Sequence, residues 1–245
     1  MYKGNYIVNE TYKYTLDGTG VDIVIHDSGV AGGHPDFLDD EGNNRLVDAD
    51  WSALSGLTLS NSANNITDTD GHGTHVAGIA AGRIFGHAKN AMIYPLKVDG
   101  LKGAGDTSGV STTNSFDCIK LWHRNKPIDP ATGFKRPTVV NMSWQFYSTI
   151  GTGDREVFFR GATTSSIDLT QARAAGVNTY STNAFRVPYR LFGIDTDIYE
   201  LIEEGIHVCL AAGNENLKID LPTGIDYNNT VSTGLPRYYH RGGSP

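Results

Sequence analysis

Residues 21–26 (VDIVIH), followed by Asp27, Ser28 and Gly29, decide how this chain can fold. Their apolar residues form an almost continuous run rather than an alternation with polar ones, which is typical of a strand buried on both faces of a parallel sheet. Three further runs have the same character, namely residues 91–98 (AMIYPLKV), 138–144 (TVVNMSW) and 206–211 (IHVCLA). The four runs predict the strands of one mostly parallel sheet.

Segments with helical spacing of apolar residues separate these runs. One follows His72, one covers residues 116–122, and one covers residues 198–202, with an N-cap expected at Thr196 or Asp197. The alternation of strands and helices predicts an α/β fold of three layers, with helices on both faces of the sheet. In such sheets the chemistry lies beyond the carboxyl ends of the strands.

The domain organisation follows from length and from two irregular stretches. We expect residues 1–245 to form a single domain, because α/β domains of this length are common. Residues 39–70 and 145–190 do not fit the repeat of strand and helix, and we expect both to be surface insertions.

Charge and hydropathy exclude several classes of partner. The chain has 20 Lys+Arg and 27 Asp+Glu, a net charge of −7, which argues against nucleic acid. No apolar run has the length of a membrane span and no signal peptide is visible, so we expect a soluble protein with no membrane partner and of unknown localisation. The two cysteines, Cys118 and Cys209, are too few for a disulfide framework and are expected to be buried.

Asp27 is the first candidate for chemistry, since it ends the first predicted strand. A carboxylate at that position faces the crevice where ligands bind, and Gly29 allows a sharp turn just after it. By itself this pattern is more typical of an ordinary Asx turn that closes a strand.

His72 is the second candidate, because it opens the glycine-laced helix at residues 72–78 (HGTHVAG). The positive end of the helix dipole disfavours imidazolium, so we expect His72 to be mostly neutral at pH 7 and able to accept a proton. A zinc site with His75 is disfavoured by the spacing of three, and His75 is expected to pack within the helix. A dinucleotide site at residues 18–20 is excluded, because these glycines precede their strand.

The third candidate is the segment at the tip of the fourth predicted strand, made of Ala211, Ala212, Gly213 and Asn214. Small side chains let a substrate approach the backbone, and an Asn amide can donate a hydrogen bond to a developing oxyanion. An Asn that merely turns the chain is the alternative.

Taken in order, these segments resemble the subtilisin-like serine proteases, the subtilases. The matching text is residues 18–29 (GTGVDIVIHDSG), 34–37 (HPDF), 70–78 (DGHGTHVAG), 141–143 (NMS) and 211–214 (AAGN). Asp before His is the subtilisin order of the triad. The resemblance covers residues 18 to about 214, and residues 86–98 are most similar to the proteinase K branch.

The resemblance implies a serine-type endopeptidase that acts on polypeptides. It implies that Asp27 orients His72, that His72 is the general base, and that Asn214 lines the oxyanion hole. It further implies that seven residues contact substrate: Ser143, Trp144, Ala211, Ala212 and Gly213 in the walls of the pocket for the residue before the scissile bond, and Gly103 and Gly105 in an edge strand that pairs with the substrate backbone.

The nucleophile is the decisive departure from the family. No Gly-Thr-Ser segment occurs, and Ser232 and Ser244 are the only serines after Asn214. We therefore expect the C-terminal part of the domain to be missing, and the Ser to come from a C-terminal continuation or from a second chain. The alternative is a catalytically incomplete structural or binding component of a larger assembly, with a composition compatible with a phage-encoded or virion-associated protein.

Two smaller departures concern metal and specificity. Asp36 matches a position that binds calcium in some subtilases, but the loop that supplies the other ligands is absent between Gly82 and Gly86, so we expect no cofactor. Gln145 and Phe146 replace the glycine-rich continuation of the third strand, so no preferred substrate side chain is predicted.

Overall fold

The computed structural model describes residues 14–59, 64–151, 156–165, 168–181, 184–214, 218–232 and 236–243. The helices are α1 (Trp51–Ser55), α2 (His72–Ala81), α3 (Thr112–Asn125), α4 (Leu169–Ala174) and α5 (Phe192–Glu203), with short 3-10 turns at Pro35–Phe37 and Asp99–Leu101. The strands are β1 (Asp22–Asp27), β2 (Met92–Lys97), β3 (Thr138–Met142), β4 (Tyr147–Gly151), β5 (Glu156–Phe159), β6 (Ala162–Ser165), β7 (Thr179–Ser181), β8 (Ala184–Pro188), β9 (His207–Leu210), β10 (Thr230–Ser232) and β11 (Pro236–Tyr238).

The central sheet has the strand order β2-β1-β3-β9, and every neighbouring pair is parallel. β2, β3 and β9 lie within the apolar runs that predict them, and β1 extends one residue past its run, to Asp27. Asp27 at the end of β1 lies opposite Lys97 at the end of β2, and Met142 at the end of β3 lies opposite Leu210. The carboxyl ends of the four strands therefore meet at one edge of the sheet.

Helices cover both faces of this sheet. Ile23 and Ile25 of β1 pack in a cluster with Ala77 of α2. Val24, which points to the opposite face, packs in a second cluster with residues of α3 and α5. The fold is thus α/β in three layers, as the sequence predicts.

Residues 39–70 are more than a surface insertion, contrary to our expectation. Trp51 is only 2% exposed and packs edge-on against Trp122 of α3, with ring centroids 5.4 Å apart. Its indole N–H donates to the carbonyl of Pro95 at 2.8 Å. A buried Trp that finds an acceptor contributes a large apolar area to the core, which is why this polar stretch folds onto the sheet.

Residues 145–190 also have a core of their own. They contribute to two antiparallel sheets, with orders β4-β8-β7 and β11-β10-β5-β6. Phe185, Val231 and Tyr239 are buried in the cluster that joins them. We propose that the chain forms one domain carrying this insertion, because it leaves the central sheet after β3 and returns to it through α5 and β9.

Two local predictions are wrong. α5 begins at Phe192 rather than after the predicted Thr196 or Asp197 cap, and the Thr196 hydroxyl donates to the carbonyl of Phe192 within the helix instead of capping it. Cys209 is exposed, although Cys118 is buried as expected. The exposure of Cys209 follows from the position of β9 at the edge of the sheet.

Candidate active site

Asp27 ends β1 with its side chain almost fully enclosed. The backbone N–H of Ser28 donates to Asp27 Oδ1 at 2.7 Å. Gly29 then turns the chain at φ +106°, where a Cβ atom would lie 2.2 Å from the carbonyl oxygen of Thr67. Only glycine fits this turn, so the sequence motif fixes the direction in which the carboxylate points.

His72 is the first residue of α2, and its ring contacts Asp27. Nδ1 of His72 lies 2.8 Å from Oδ1 and 3.0 Å from Oδ2 of Asp27. Gly73 permits the approach, since a Cβ there would lie 2.1 Å from the carbonyl oxygen of Gly29. The Asp27 side chain is 2% exposed and the His72 side chain is 49% exposed. The imidazole is therefore anchored through Nδ1 and remains accessible from solvent.

The electrostatics of the pair differ from those expected from the helix dipole alone. The pKa of His72 is raised, chiefly by the hydrogen bond to Asp27, although partial burial opposes the shift. Burial raises the pKa of Asp27, against the hydrogen bonds from His72 and Ser28. The direction expected for His72 is wrong because a carboxylate at hydrogen-bonding distance outweighs the dipole of one helix terminus.

Asp68 links the end of β1 to the start of α2, and the sequence analysis missed it. Its carboxylate accepts hydrogen bonds from the N–H groups of Gly71 and Thr74, both at 2.8 Å, and from the hydroxyl of Ser28 at 2.9 Å. The N–H of Gly73 donates to the same Ser28 hydroxyl at 2.9 Å. Burial raises the pKa of Asp68, but these hydrogen bonds more than offset it and the pKa lies below its usual value. An acidic residue just before a helix start is the available sequence signal.

Lys97 places a buried cation beside the candidate site. It lies opposite Asp27 in the sheet, its side chain is 0% exposed, and its Nζ is 2.6 Å from Asp106 Oδ2. The Lys97 ammonium also donates to the hydroxyl of Thr67 at 3.1 Å. The hydrogen bond from Lys97 holds the pKa of Asp106 well below its usual range.

Gly103 and Gly105, expected in a substrate-binding edge strand, precede Asp106 in the chain. The segment is a turn, in which the N–H of Asp106 donates to the carbonyl of Gly103 and Gly105 has φ +84°. Gly103 also packs so closely on Thr69 that a Cβ would lie 2.7 Å from its hydroxyl. Neither glycine lies in a strand, and their pairing with a substrate backbone stays a prediction.

Trp144 follows β3 at the same edge of the sheet as Asp27, but its ring points into the core. The indole N–H donates to the carbonyl of His26 at 2.9 Å and to His26 Nδ1 at 3.1 Å. The ring of Trp144 is therefore buried in the core, and the contribution of this residue to a substrate pocket stays a prediction. The neighbouring Ser143 accepts a hydrogen bond from the side-chain amide of Asn141 at 2.8 Å.

His26 is a buried histidine that the sequence analysis did not single out. Because Nδ1 accepts from Trp144, Nε2 carries the proton and donates to the hydroxyl of Ser115 at 2.6 Å. The ring stacks on Trp144, with centroids 5.3 Å apart. Burial lowers the pKa of His26 to about 3, so the ring is neutral.

The segment after β9 lies at the same edge of the sheet. The N–H of Ala211 donates to the carbonyl of Met142 at 3.1 Å, which continues the parallel pairing with β3. Ala212 is exposed, Gly213 turns at φ +86°, and Asn214 follows with an exposed side chain. The structure thus brings this segment to the edge where Asp27 lies, and the substrate and oxyanion roles of its four residues stay predictions.

No group of three or more His, Cys, Asp or Glu side chains is arranged to hold a metal among the described residues. The Asp36 carboxylate accepts instead from the N–H of Ile84 at 2.7 Å. A Cβ at Gly82 would lie 2.1 Å from Asp36 Oδ2, so the short loop itself occupies the space beside this carboxylate.

His75 is exposed rather than packed within the helix. None of the described helices combines the length and the hydropathy that crossing a bilayer requires.

Comparison with known proteins adds the family. The sequence profile described as the subtilase family matches residues 18–240. The chain belongs to the subtilase family. A subtilase relative, alkaline serine exoprotease A of Vibrio alginolyticus, is 33% identical over 98% of this chain and 34% of its own length. Subtilisin-like protease 9 of Arthroderma otae is 41% identical over 40% of this chain and 22% of its own length.

The cuticle-degrading serine protease of Arthrobotrys oligospora is 36% identical over 43% of this chain and 24% of its own length. The chain thus spans about a third or less of the length of these curated subtilases. Among solved structures, the CspB protease of Clostridium perfringens matches 54% of this chain and 30% of its own at 25% identity, with a TM-score of 0.36. The MycP3 protease of the type VII (ESX-3) secretion system matches 93% and 49% at 19% identity, with a TM-score of 0.38.

Proposed function

We propose that this chain supplies the aspartate and the histidine of the catalytic triad of a serine-type endopeptidase, which hydrolyses peptide bonds in polypeptides. The observation that carries the proposal is the 2.8 Å contact between His72 Nδ1 and Asp27 Oδ1, made at the carboxyl edge of a parallel sheet. Membership of the subtilase family, whose curated relatives are named as serine proteases, supports the reaction class.

In the proposed reaction, Asp27 holds the proton of His72 on Nδ1, which leaves Nε2 to act as the base. Nε2 takes the proton of a Ser hydroxyl as its oxygen attacks the peptide carbonyl, and returns that proton to the leaving amine. The acyl group is then released by water activated in the same way. The raised pKa of His72 agrees with a site that stabilises the imidazolium formed in each step. Asn214 would donate a hydrogen bond to the oxyanion.

The nucleophilic Ser is proposed to come from outside these residues, through a C-terminal continuation or a second chain. An edge strand and two exposed apolar side chains support such a docking partner. Within the described residues β9 pairs only with β3, and Leu210 at its end is 48% exposed. Ile79 on α2 is 52% exposed. A polypeptide that pairs with β9 and covers α2 would bury both, and would end near His72.

Labelling with a fluorophosphonate probe tests the proposal. We expect no labelling of chain 1–245 alone, and labelling of the chain when it is produced with the residues that its reading frame encodes after Pro245. The His72→Ala variant should lose the label because the Ser is no longer activated. His75→Ala, which removes an exposed imidazole from the same helix, is the matched control and should keep it.

The absence of Gly-Thr-Ser from the 245 residues favours one alternative, a structural or binding component of a larger assembly such as a virion. A stop codon after Pro245, with no partner chain that restores labelling, would favour this alternative. Labelling that persists unchanged in His72→Ala would contradict the proposed base.

A further inference from the structure

A cavity of about 600 Å³ opens between the end of β8, the start of α5 and strand β11. Its volume is that of a site for a drug-sized ligand or a short peptide segment. Aromatic and arginine side chains alternate around it, among them Tyr189, Phe192, Tyr238, Arg190, Arg237 and Arg241. None of these residues belongs to the candidate active site described above.

The cavity carries excess positive charge in a protein of net charge −7. Arg190 forms an ion pair with Asp195, which also lines the cavity. Arg241 donates to neutral oxygens, the carbonyl of Tyr227 at 3.1 Å and the side chain of Asn228 at 2.8 Å. In the described part of the chain, neither Arg237 nor Arg241 has a carboxylate at ion-pair distance. Two guanidinium charges therefore remain uncompensated there.

Aromatic rings hold these two guanidinium groups in place. The guanidinium carbon of Arg237 lies 4.7 Å from the ring centroid of Tyr189, and that of Arg241 lies 4.2 Å from the centroid of Tyr227. Stacking engages the face of a guanidinium and leaves N–H donors at its edge, which suit bidentate binding of a carboxylate. The ligand chemistry that fits the cavity is thus anionic, with apolar contact to the rings.

The cavity lies on the side of the molecule where the candidate active site lies. α5 packs along the sheet and is followed after a short turn by β9, so it runs antiparallel to that strand. The first turn of α5, which lines the cavity, therefore lies towards the edge that holds Asp27 and Asn214. Tyr189 also donates its N–H to the carbonyl of Phe146 at 3.1 Å, which joins the cavity wall to the segment that follows Ser143.

We infer that this cavity binds an acidic segment of a polypeptide substrate, whose carboxylates pair with Arg237 and Arg241 while the chain packs on the tyrosine rings. The inference rests on the proposed function, since it gives the substrate class for the same reaction. A short acidic segment is favoured over nucleic acid because the excess positive charge is confined to two arginines, too few to neutralise a continuous phosphate backbone on a protein of net charge −7.

Fluorescence anisotropy with the full chain and a labelled hexapeptide of three Glu, one Tyr and two Gly tests the inference. The Arg237→Gln variant should weaken binding at least about fivefold, because charge-assisted hydrogen bonds to the carboxylates are lost. A peptide with Gln in place of each Glu should bind more weakly by a similar factor. Arg83→Gln removes an exposed arginine beside α2 and is the matched control, expected to leave binding unchanged.

Two further variants separate the possible failures. Arg241→Gln should also weaken peptide binding, and circular dichroism shows whether this variant folds. If it does not fold, the Arg237→Gln variant still tests the inference, because that substitution removes only a cation–π contact from the folded chain. His72→Ala should keep peptide binding, so failure of the protease proposal in the labelling experiment leaves this result readable. Three outcomes would overturn the inference. The Glu and Gln peptides could bind equally well, or Arg237→Gln could bind the peptide as tightly as Arg83→Gln does. The third is displacement of the peptide by an equal concentration of oligothymidylate.

Discussion

His72 and His26 show that one residue type takes opposite roles within a single site. The hydrogen bond to Asp27 raises the pKa of His72, which is half exposed, whereas burial lowers the pKa of His26 next to Asp27 in the strand. The first ring gains a proton readily and the second resists it. The difference comes from the partner each ring finds, a carboxylate for His72 and neutral donors or acceptors for His26.

The pKa of His26 predicts a specific loss of stability in acid. The folded protein holds this pKa at about 3, against about 6.5 for an unperturbed histidine, so below pH 6.5 the unfolded chain binds a proton that the folded chain refuses. The stabilisation is complete above pH 6.5 and is lost as the pH falls toward 3. His26 should therefore steepen the fall of the unfolding free energy by about 1 kcal/mol per pH unit between pH 6 and pH 4.

Urea unfolding of the wild type and His26→Phe across this range measures the effect. Phe keeps an aromatic ring beside Trp144 and Phe116 but cannot be protonated, and contributions from the other histidines cancel in the comparison. We expect the stability curve of His26→Phe to be flatter than that of the wild type. Parallel curves would show that His26 is not the group that couples stability to pH.

At the scale of elements, the loop before α2 sets the distance between Asp27 and His72. The Asp68 carboxylate caps the first turn of α2 and reaches Ser28 at the tip of β1. Asp68→Ala removes all of these acceptors, and we expect it to cost about 2 kcal/mol of unfolding free energy. Asp70→Ala removes an exposed carboxylate two residues away and should cost less than about 0.5 kcal/mol.

Chemical denaturation of both variants checks this prediction. A cost for Asp68→Ala no larger than for Asp70→Ala would show that the hydrogen bonds of Asp68 do not hold α2 to β1. A loss confined to Asp68→Ala would identify it as the residue that positions the start of the helix.

The elements of the central sheet could be predicted because their signals are local. β1, β2 and β3 are largely buried, and β9 pairs with β3 at the edge of the sheet, yet each of the four is encoded as a short apolar run that can be read locally. Asp27 ends the first run and His72 opens a helix, which predicts that both lie at the carboxyl edge of the sheet. The turn that closes over Asp106 could not be predicted, because it depends on Lys97 from a neighbouring strand. The burial of Trp51 depends in the same way on contact with Trp122, far along the chain.

The sequence predicts the central pair of the candidate site, Asp27 and His72, but not the residues that surround and position this pair. The Asp27 and His72 motifs carry glycines that the geometry requires, at Gly29 and Gly73, and these mark the pair in the sequence. Asp68 and His26 lack such marks, because a loop carboxylate or a histidine within a strand has many ordinary structural roles. Their contribution becomes visible only when the side chains that they contact are known.

The two cysteines differ in how far the rest of the protein covers them. Cys118 is buried, and burial raises the pKa of its thiol, whereas Cys209 is exposed on the edge strand β9. We expect one equivalent of maleimide to react with the native chain, at Cys209, and two in urea. Mass spectrometry after brief labelling gives the stoichiometry and the site. Rapid reaction at Cys118 in the native chain would contradict the packing of α3.

The open side of β9 has a practical consequence for handling the isolated chain. Among the residues that the structure describes, no strand pairs with this side of β9, so its amide and carbonyl groups form a template onto which a second copy can add. Cys209 would then lie close to the seam between the copies. Air oxidation would convert such transient pairs into covalent dimers. Purification of this chain by itself therefore calls for dilute solutions and a reductant, and a Cys209→Ser substitution should remove the covalent product while leaving the weaker association in place.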